Sequence, residues 1–290
     1  MRQQIANFKT WLLREWSYLR TRGWVTRLLG FEYSISKDLI EIDLTYACNL
    51  SCNNCNRSSP QARSNEHISL EQIKSFIDQS IATKKKWKRI RLLGGEPTLH
   101  PQFLAVLELI RKYRDENSVG TRIEVATNGH GARVNTILNS IPKDVIVVNT
   151  HKSSTKEQTA FASFNIAPID VKPYLHADFR NGCQILKDCG VGLTSRGYYP
   201  CAIAGGIDRI GGTQTGRSQL AGDGDEMRDL MDKFCRLCGH FKRRGESPIQ
   251  SQLTSPAWQR LYATYPAQKK LPQASKPAVA QSQLPENHFL

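Results

Sequence analysis

Between Leu39 and Leu44 the sequence LIEIDL alternates apolar and acidic residues, the period-two pattern of a strand with one face in a core. The period then becomes helical. In SLEQIKSFIDQSI, Ser69 is placed as an N-cap and Gln72 closes a capping box, while Leu70, Ile73, Phe76 and Ile77 turn inward. RIRLL (89–93) reads as a second strand, and Pro101 opens a helix through PQFLAVLELIRKY. TRIEVAT predicts a third strand, leading to a helix from about Arg133 to Ile141, and DVIVVN a fourth. A further strand is possible around Asp170, Lys172 and Tyr174, with His176 and Arg180 following.

Alternating strands and helices imply an α/β fold: a parallel sheet with right-handed crossovers, either doubly wound or curled into a partial (β/α) barrel. Chemistry in such sheets collects at the C-terminal ends of the strands. There the chain places TYACNLSCNNC after the first strand, GGEPTLHP after the second, ATNGHG after the third and NTHKSS after the fourth. His151, Lys152 and Ser153 therefore face the same rim, as substrate or cofactor contacts or as a base, or form an ordinary solvated loop.

Four segments follow from the texture: a basic amphipathic helical stretch over 1–36, the sheet and its helices over 37–180, a Cys-rich appendage over 181–265, and a disordered tail over 266–290. In the appendage GLTSRGYYPC predicts a hairpin turning at Ser195 to Gly197, with little helical periodicity before DEMRDLMDKF. In the first stretch Phe8, Trp11, Leu12, Trp16 and Leu19 recur near helical period with Arg between them. Such a stripe serves either to lie on an acidic membrane surface or to pack on the body of the protein.

At 290 residues the chain can bury one full-sized core with an appendage. No apolar run approaches the roughly 20 residues of a membrane span, and no signal-peptide core stands at the N-terminus, so a cytoplasmic, reducing setting is expected. The net charge, 40 − 26 = +14, favours anionic partners: phosphate, nucleotide, nucleic acid or an acidic membrane. In a reducing compartment eight cysteines suggest metal before disulfides.

Cys48, Cys52 and Cys55 cannot pair among themselves, and a structural zinc takes four ligands. A CxxxCxxC loop instead suits three corners of a [4Fe-4S] cube whose fourth iron is open, the alternative being a zinc knuckle that borrows a ligand such as His67. On this loop and on GGEP one strand later, the sequence resembles the radical SAM superfamily. The resemblance implies that Cys48, Cys52 and Cys55 hold a [4Fe-4S] cluster whose open iron binds S-adenosylmethionine (SAM). It further implies that Gly94, Gly95, Glu96 and Pro97 meet the methionine amino group, Glu96 through its carboxylate, and that Thr127 and Asn128 lie near the ribose. Asn54 stands where the family usually has an aromatic residue against adenine.

Five cysteines remain, one more than a closed cluster needs. Their layout resembles the twitch and SPASM appendages of radical SAM enzymes, the shorter twitch form above all, and that of the aminocyclitol dehydrogenases. By that resemblance Cys183, Cys201, Cys235 and Cys238 hold an auxiliary [4Fe-4S] cluster and Cys189 is surplus, or takes the place of Cys183. Zinc on the same four thiols is the alternative. The implied activity is reductive cleavage of SAM to a 5′-deoxyadenosyl radical that abstracts hydrogen from substrate, with electrons from a donor such as flavodoxin or ferredoxin. Two substrate classes stay open: a sugar-like or phosphorylated small molecule, oxidised at an alcohol with the auxiliary cluster's help, or a peptide. A metal-binding nucleic-acid module is the third reading. Against it, the basic residues do not alternate with aromatics in an RNA-binding pattern.

Overall fold

A computed structural model describes residues 2–152, 164–241 and 254–268. Helices α1 (Arg2–Arg20) and α2 (Gly23–Leu29) precede β1 (Leu39–Thr45), α3 (Leu70–Ala82), β2 (Arg89–Gly94), α4 (Phe103–Asn117), β3 (Arg122–Thr127), α5 (Ala132–Leu138) and β4 (Ile146–Asn149). The capping box of α3 is complete: Gln72 N donates to Ser69 Oγ at 3.2 Å, and Ser69 N donates to Gln72 Oε1 at 3.0 Å. Two helices are offset from the sequence reading. α4 begins at Phe103 rather than Pro101, and α5 ends at Leu138 rather than Ile141.

Strands β1 to β4 pair in parallel, in the order β4-β3-β2-β1, as a partial (β/α) barrel requires. One face carries Ile40, Ile42, Leu44, Ile90, Leu92, Ile123 and Val125, all fully buried in one core with Ile73, Phe76, Val106 and Ile110 of α3 and α4. Each such side chain is worth about 1.5–3 kcal/mol for leaving water. Register puts Glu41 beside Arg91 and Arg91 beside Glu124, so the opposite face is charged.

The appendage begins with α6 (Ile185–Asp188), β5 (Val191–Thr194), β6 (Gly197–Tyr199), α7 (Ala202–Gly211), α8 (Arg228–Cys235) and α9 (Pro256–Gln268). Its hairpin is not set apart from the main sheet. β5 pairs in parallel with β1, Ile42 beside Leu193, and carries β6 as the antiparallel edge, so all six strands form one sheet. Gly192 makes this possible, because a Cβ there would collide with the Cys201–Ala202 backbone. α7 is buried almost all round, its charged residues Asp208 and Arg209 included, so it lacks the solvent-facing polar stripe by which a surface helix is read.

Where a further strand seemed possible, Pro168–Asp170 and Lys172–Tyr174 form 3-10 turns. Pro168 and Pro173 lack the N–H that a ladder needs, and Asp170 Oδ2 instead accepts from Ala257 N at 2.8 Å at the start of α9. α9 runs through Pro266 to Gln268, the first three residues of the expected disordered tail, and the rest of that tail lies outside the described residues. Ser153 is likewise outside them. No helix among the described residues is long and apolar enough to cross a membrane.

Candidate functional site

The four strand-end loops meet at Asn128, the residue after β3. Its side-chain Nδ2 donates to Asn49 Oδ1 at 2.8 Å and stands 3.8 Å from Cys48 Sγ, in the loop after β1. Its backbone N donates to Glu96 Oε2 at 2.8 Å in the loop after β2, and its carbonyl accepts from Lys152 N at 3.1 Å in the loop after β4. Asn128 Oδ1 caps its own loop by accepting from His130 N at 2.7 Å. The side chain and backbone of one residue thus tie all four loops together.

Glu96 is wholly buried, yet its carboxylate has partners throughout. Oε1 accepts from Thr98 N (3.3 Å), Thr98 Oγ1 (2.8 Å) and Thr127 Oγ1 (2.9 Å), whereas Oε2 takes the single donor from Asn128. A carboxylate offers about four lone-pair positions, so Oε2 retains acceptor capacity for a cation brought to it. The preceding glycines also serve a contact within the protein. A Cβ on Gly94 would collide with Thr45 O, and one on Gly95 with Ala47 O. Gly95 N and Glu96 N continue the ladder onto those same carbonyls at 2.7 and 2.9 Å, which carries β2 across the end of β1 and sets Glu96 beside the cysteine loop.

In that loop Cys52 is buried and Cys48 and Cys55 half-buried. Burial pushes the Cys48 thiol up to about 11, with Cys55, Glu96 and Cys52 close enough to add to the shift. Leu50 N donates to Cys48 Sγ at 3.4 Å, a contact that favours a thiolate. Asn54, before the last cysteine, holds φ 55, a left-handed turn that asparagine tolerates and an aromatic side chain seldom does. His67 lies across from Thr45 in an isolated bridge and its ring stands 5.4 Å from that of His100. His151 is exposed on the rim with φ 45, its N donating to Asn149 Oδ1 at 2.8 Å.

The second set of thiols gathers below. Cys183, Cys201, Cys235 and Cys238 line one cavity whose remaining wall is Ile185, Leu186, Ile203, Ala204, Ile207, Phe234 and Phe241. Cys189 is outside that wall, beside Glu41. Burial raises the Cys235 and Cys238 thiols and pushes that of Cys201 up to about 12. Two backbone N–H groups oppose the shift, Ala204 on Cys201 and His240 on Cys238, and Cys201 stands at the positive end of α7. Among the described residues no three His, Cys, Asp or Glu side chains converge tightly enough to hold a single metal ion. A zinc site draws its thiolates onto one ion, whereas a [4Fe-4S] cube binds each thiolate through a different iron. Both sets of thiols, with N–H donors aimed at sulfur, fit the cube.

Between the two sets runs a buried charged face that the sequence reading overlooked. Arg57, two residues beyond Cys55, donates to Asp43 Oδ1 at 3.1 Å and lies 3.4 Å from Glu41 Oε2. Glu41 also takes Arg91 at 3.1 Å, and Arg91 takes Glu124 at 2.7 Å. Its signal was present: acidic and basic residues at every second place of β1, β2 and β3, in matching register. Burial is the largest influence on Asp43 and raises its carboxyl, against the pull of Arg57.

The sequence profile of the Radical SAM superfamily matches residues 42–193. A probable GTP 3′,8-cyclase of Methanothermobacter marburgensis is 36% identical over 91 residues, 31% of this chain and 27% of that protein. Mycofactocin maturase MftC of Mycobacterium tuberculosis is 34% identical over 87 residues, 30% of this chain and 20% of its own length. The matches therefore span about a quarter of these curated relatives. Among solved structures, BtrN in complex with AdoMet and 2-DOIA aligns with 74% of this chain and 97% of its own, at 12% identity and a TM-score of 0.42. The profile covers more than half of the chain and takes in both the cysteine loop after β1 and the Glu96 turn after β2: this protein belongs to the radical SAM superfamily.

Proposed function

We propose that the chain is an enzyme that cleaves SAM at the Asn128 junction and oxidises an alcohol of a sugar-like or cyclitol substrate, with [4Fe-4S] clusters on Cys48, Cys52 and Cys55 and on Cys183, Cys201, Cys235 and Cys238. The observation that carries this reading is the junction itself, where Asn128 joins the cysteine loop, the Glu96 carboxylate and the fourth loop. A cluster on the loop, with SAM bound, supplies reductive C–S cleavage and a carbon radical able to take hydrogen from substrate.

The protein's part is position and charge. Glu96 Oε2 offers its spare acceptor capacity to an ammonium, and Asn128 keeps that carboxylate and Cys48 at fixed separation. Arg57, Asp43, Glu41 and Arg91 make a polar wall suited to hydroxyl groups. An alcohol that has lost one hydrogen atom must lose a proton and an electron more to become a carbonyl. The same wall leads toward the second set of thiols; Cys183, Cys201, Cys235 and Cys238 would hold the cluster that supplies the acceptor for that electron, while Glu41 or Asp43 would receive the proton. His151 and Lys152, on the rim, would meet substrate or the SAM carboxylate.

Anaerobically reconstituted protein incubated with SAM and dithionite should yield 5′-deoxyadenosine, then product from candidate sugars or peptides. Replacing Cys48, Cys52 and Cys55 together by Ala should abolish the nucleoside and leave the second cluster's absorbance. Undiminished 5′-deoxyadenosine from that variant would overturn the reading.

A further inference from the structure

The exposed large apolar side chains of this protein crowd into its first two helices. Phe8, Trp11, Leu12, Leu13, Trp16 and Leu19 are exposed on α1, and Trp24, Leu28 and Leu29 on α2, with Trp24 at 60% and Leu28 at 75%. Among the described residues, packing on the body is seen around the junction of the two helices, where Val25 and Thr26 are buried. Tyr18 meets Tyr174 edge-on with centroids 5.4 Å apart, Thr21 O accepts from Asp178 N at 2.6 Å, and Thr26 Oγ1 accepts from Asn181 Nδ2 at 2.7 Å. At 3.6 residues per turn, Trp11, Phe8, Leu19, Leu12 and Trp16 share an arc of about 140° on α1. Lys9 and Arg20 border it on one side and Arg14 on the other. Glu15 falls inside the arc and is held 3.5 Å from Arg14.

We infer that α1 and α2 dock the protein, peripherally, on an anionic lipid surface. Apolar side chains flanked by cations suit the boundary between acyl chains and headgroups, where tryptophan is favoured and arginine meets phosphate. Charge selects this occupant. Residues 1–30 hold six basic side chains and one acid, so a second copy of the same surface would set like charges together, whereas an anionic membrane neutralises them. Nucleic acid would use the cations and the aromatic rings but gives no place to Leu12, Leu13, Leu28 and Leu29; a hydrocarbon boundary takes both kinds. The inference is independent of the chemistry proposed for the strand ends.

The test is co-sedimentation of the full-length protein with phosphatidylcholine vesicles and with vesicles of phosphatidylcholine and phosphatidylglycerol, at low and high salt, with light scattering for oligomeric state. Binding is expected only to the anionic vesicles, weakened by salt, with a blue shift of tryptophan emission. Replacing Trp11, Trp16 and Trp24 by Ser, or making Lys9→Glu with Arg27→Glu, should each weaken partitioning by about tenfold or more while leaving the circular dichroism melt unchanged. Glu15→Gln should tighten it. Equal binding to neutral vesicles, no binding to either, or wild-type binding by the tryptophan variant would overturn the inference. So would a dimer that the tryptophan variant loses in protein that ignores vesicles, since the face would then belong to a second copy.

Discussion

The Arg209 guanidinium, in α7, donates to the main-chain carbonyl of Arg57 at 2.7 Å. The same buried side chain donates to Ala62 O at 2.6 Å and lies 4.3 Å from the centroid of the Tyr46 ring. One residue therefore joins the helix that begins at Cys201 to the loop that leaves Cys55. The two sets of thiols are mechanically linked, whatever fills them.

Arg209→Met is expected to leave the Arg57 and Ala62 carbonyls without their donor inside the protein. An orphaned buried acceptor costs about 1–3 kcal/mol, and two should lower the thermal midpoint by several degrees. Iron retained by the Cys48 loop should fall while the second set keeps its own. Unchanged stability and iron content together would show that Arg209 does not hold the loop.

Glu96→Gln keeps the shape of the side chain and loses its charge. The amide presents two N–H donors where the carboxylate accepted from Asn128 N or the threonine hydroxyls. A charge-assisted hydrogen bond is worth roughly 1.5–3 kcal/mol, so SAM affinity should drop about tenfold to over a hundredfold. Isothermal titration on cluster-loaded protein measures it; wild-type affinity would remove Glu96 from the site.

Cys189→Ala should leave the second cluster in place and Cys183→Ala should make it labile, since Cys183 lines the cavity and Cys189 faces Glu41. Single variants made in a protein already lacking Cys48, Cys52 and Cys55 allow iron and sulfide to be counted for this set alone. The reverse result would exchange the two residues.

Mild acid should loosen the anchor behind the cysteine loop. His100 Nε2 lies 2.8 Å from Ile68 O, and burial lowers both His100 and His67, with the His100 imidazole lowering His67 further. Folded values below the ordinary 6.5 mean that the unfolded chain takes up protons first. The stability is fully present above about pH 6.5 and is lost as pH falls through the lower folded values. The thermal midpoint should therefore drop between pH 7.5 and 5.5, and His100→Gln should flatten that dependence if it folds. A flat wild-type profile would contradict it.

The alternation in LIEIDL and RIRLL and the box at Ser69 and Gln72 were local signals, and each became the expected element because neighbouring residues alone determine a strand's period or a helix's cap. The cysteine loop and GGEP were legible for the same reason, since their chemistry is written in short spacing. α7 was not. AIAGGIDRIG has no solvent-facing polar stripe, because its charged residues, Asp208 and Arg209, are themselves buried, against Tyr199 and the Arg57 loop.

Residue types and spacing alone thus determined the parallel βα order, the thiols available and the strand ends that bear them. Tertiary structure decided what those groups meet. Whether Cys183 or Cys189 enters the cavity, whether Glu96 is already engaged by Thr98, Thr127 and Asn128, and whether the hairpin stands apart or joins β1 all depend on contacts between distant segments. Contacts of that kind are set by which surfaces fit when the whole chain closes, and no window of neighbouring residues records them.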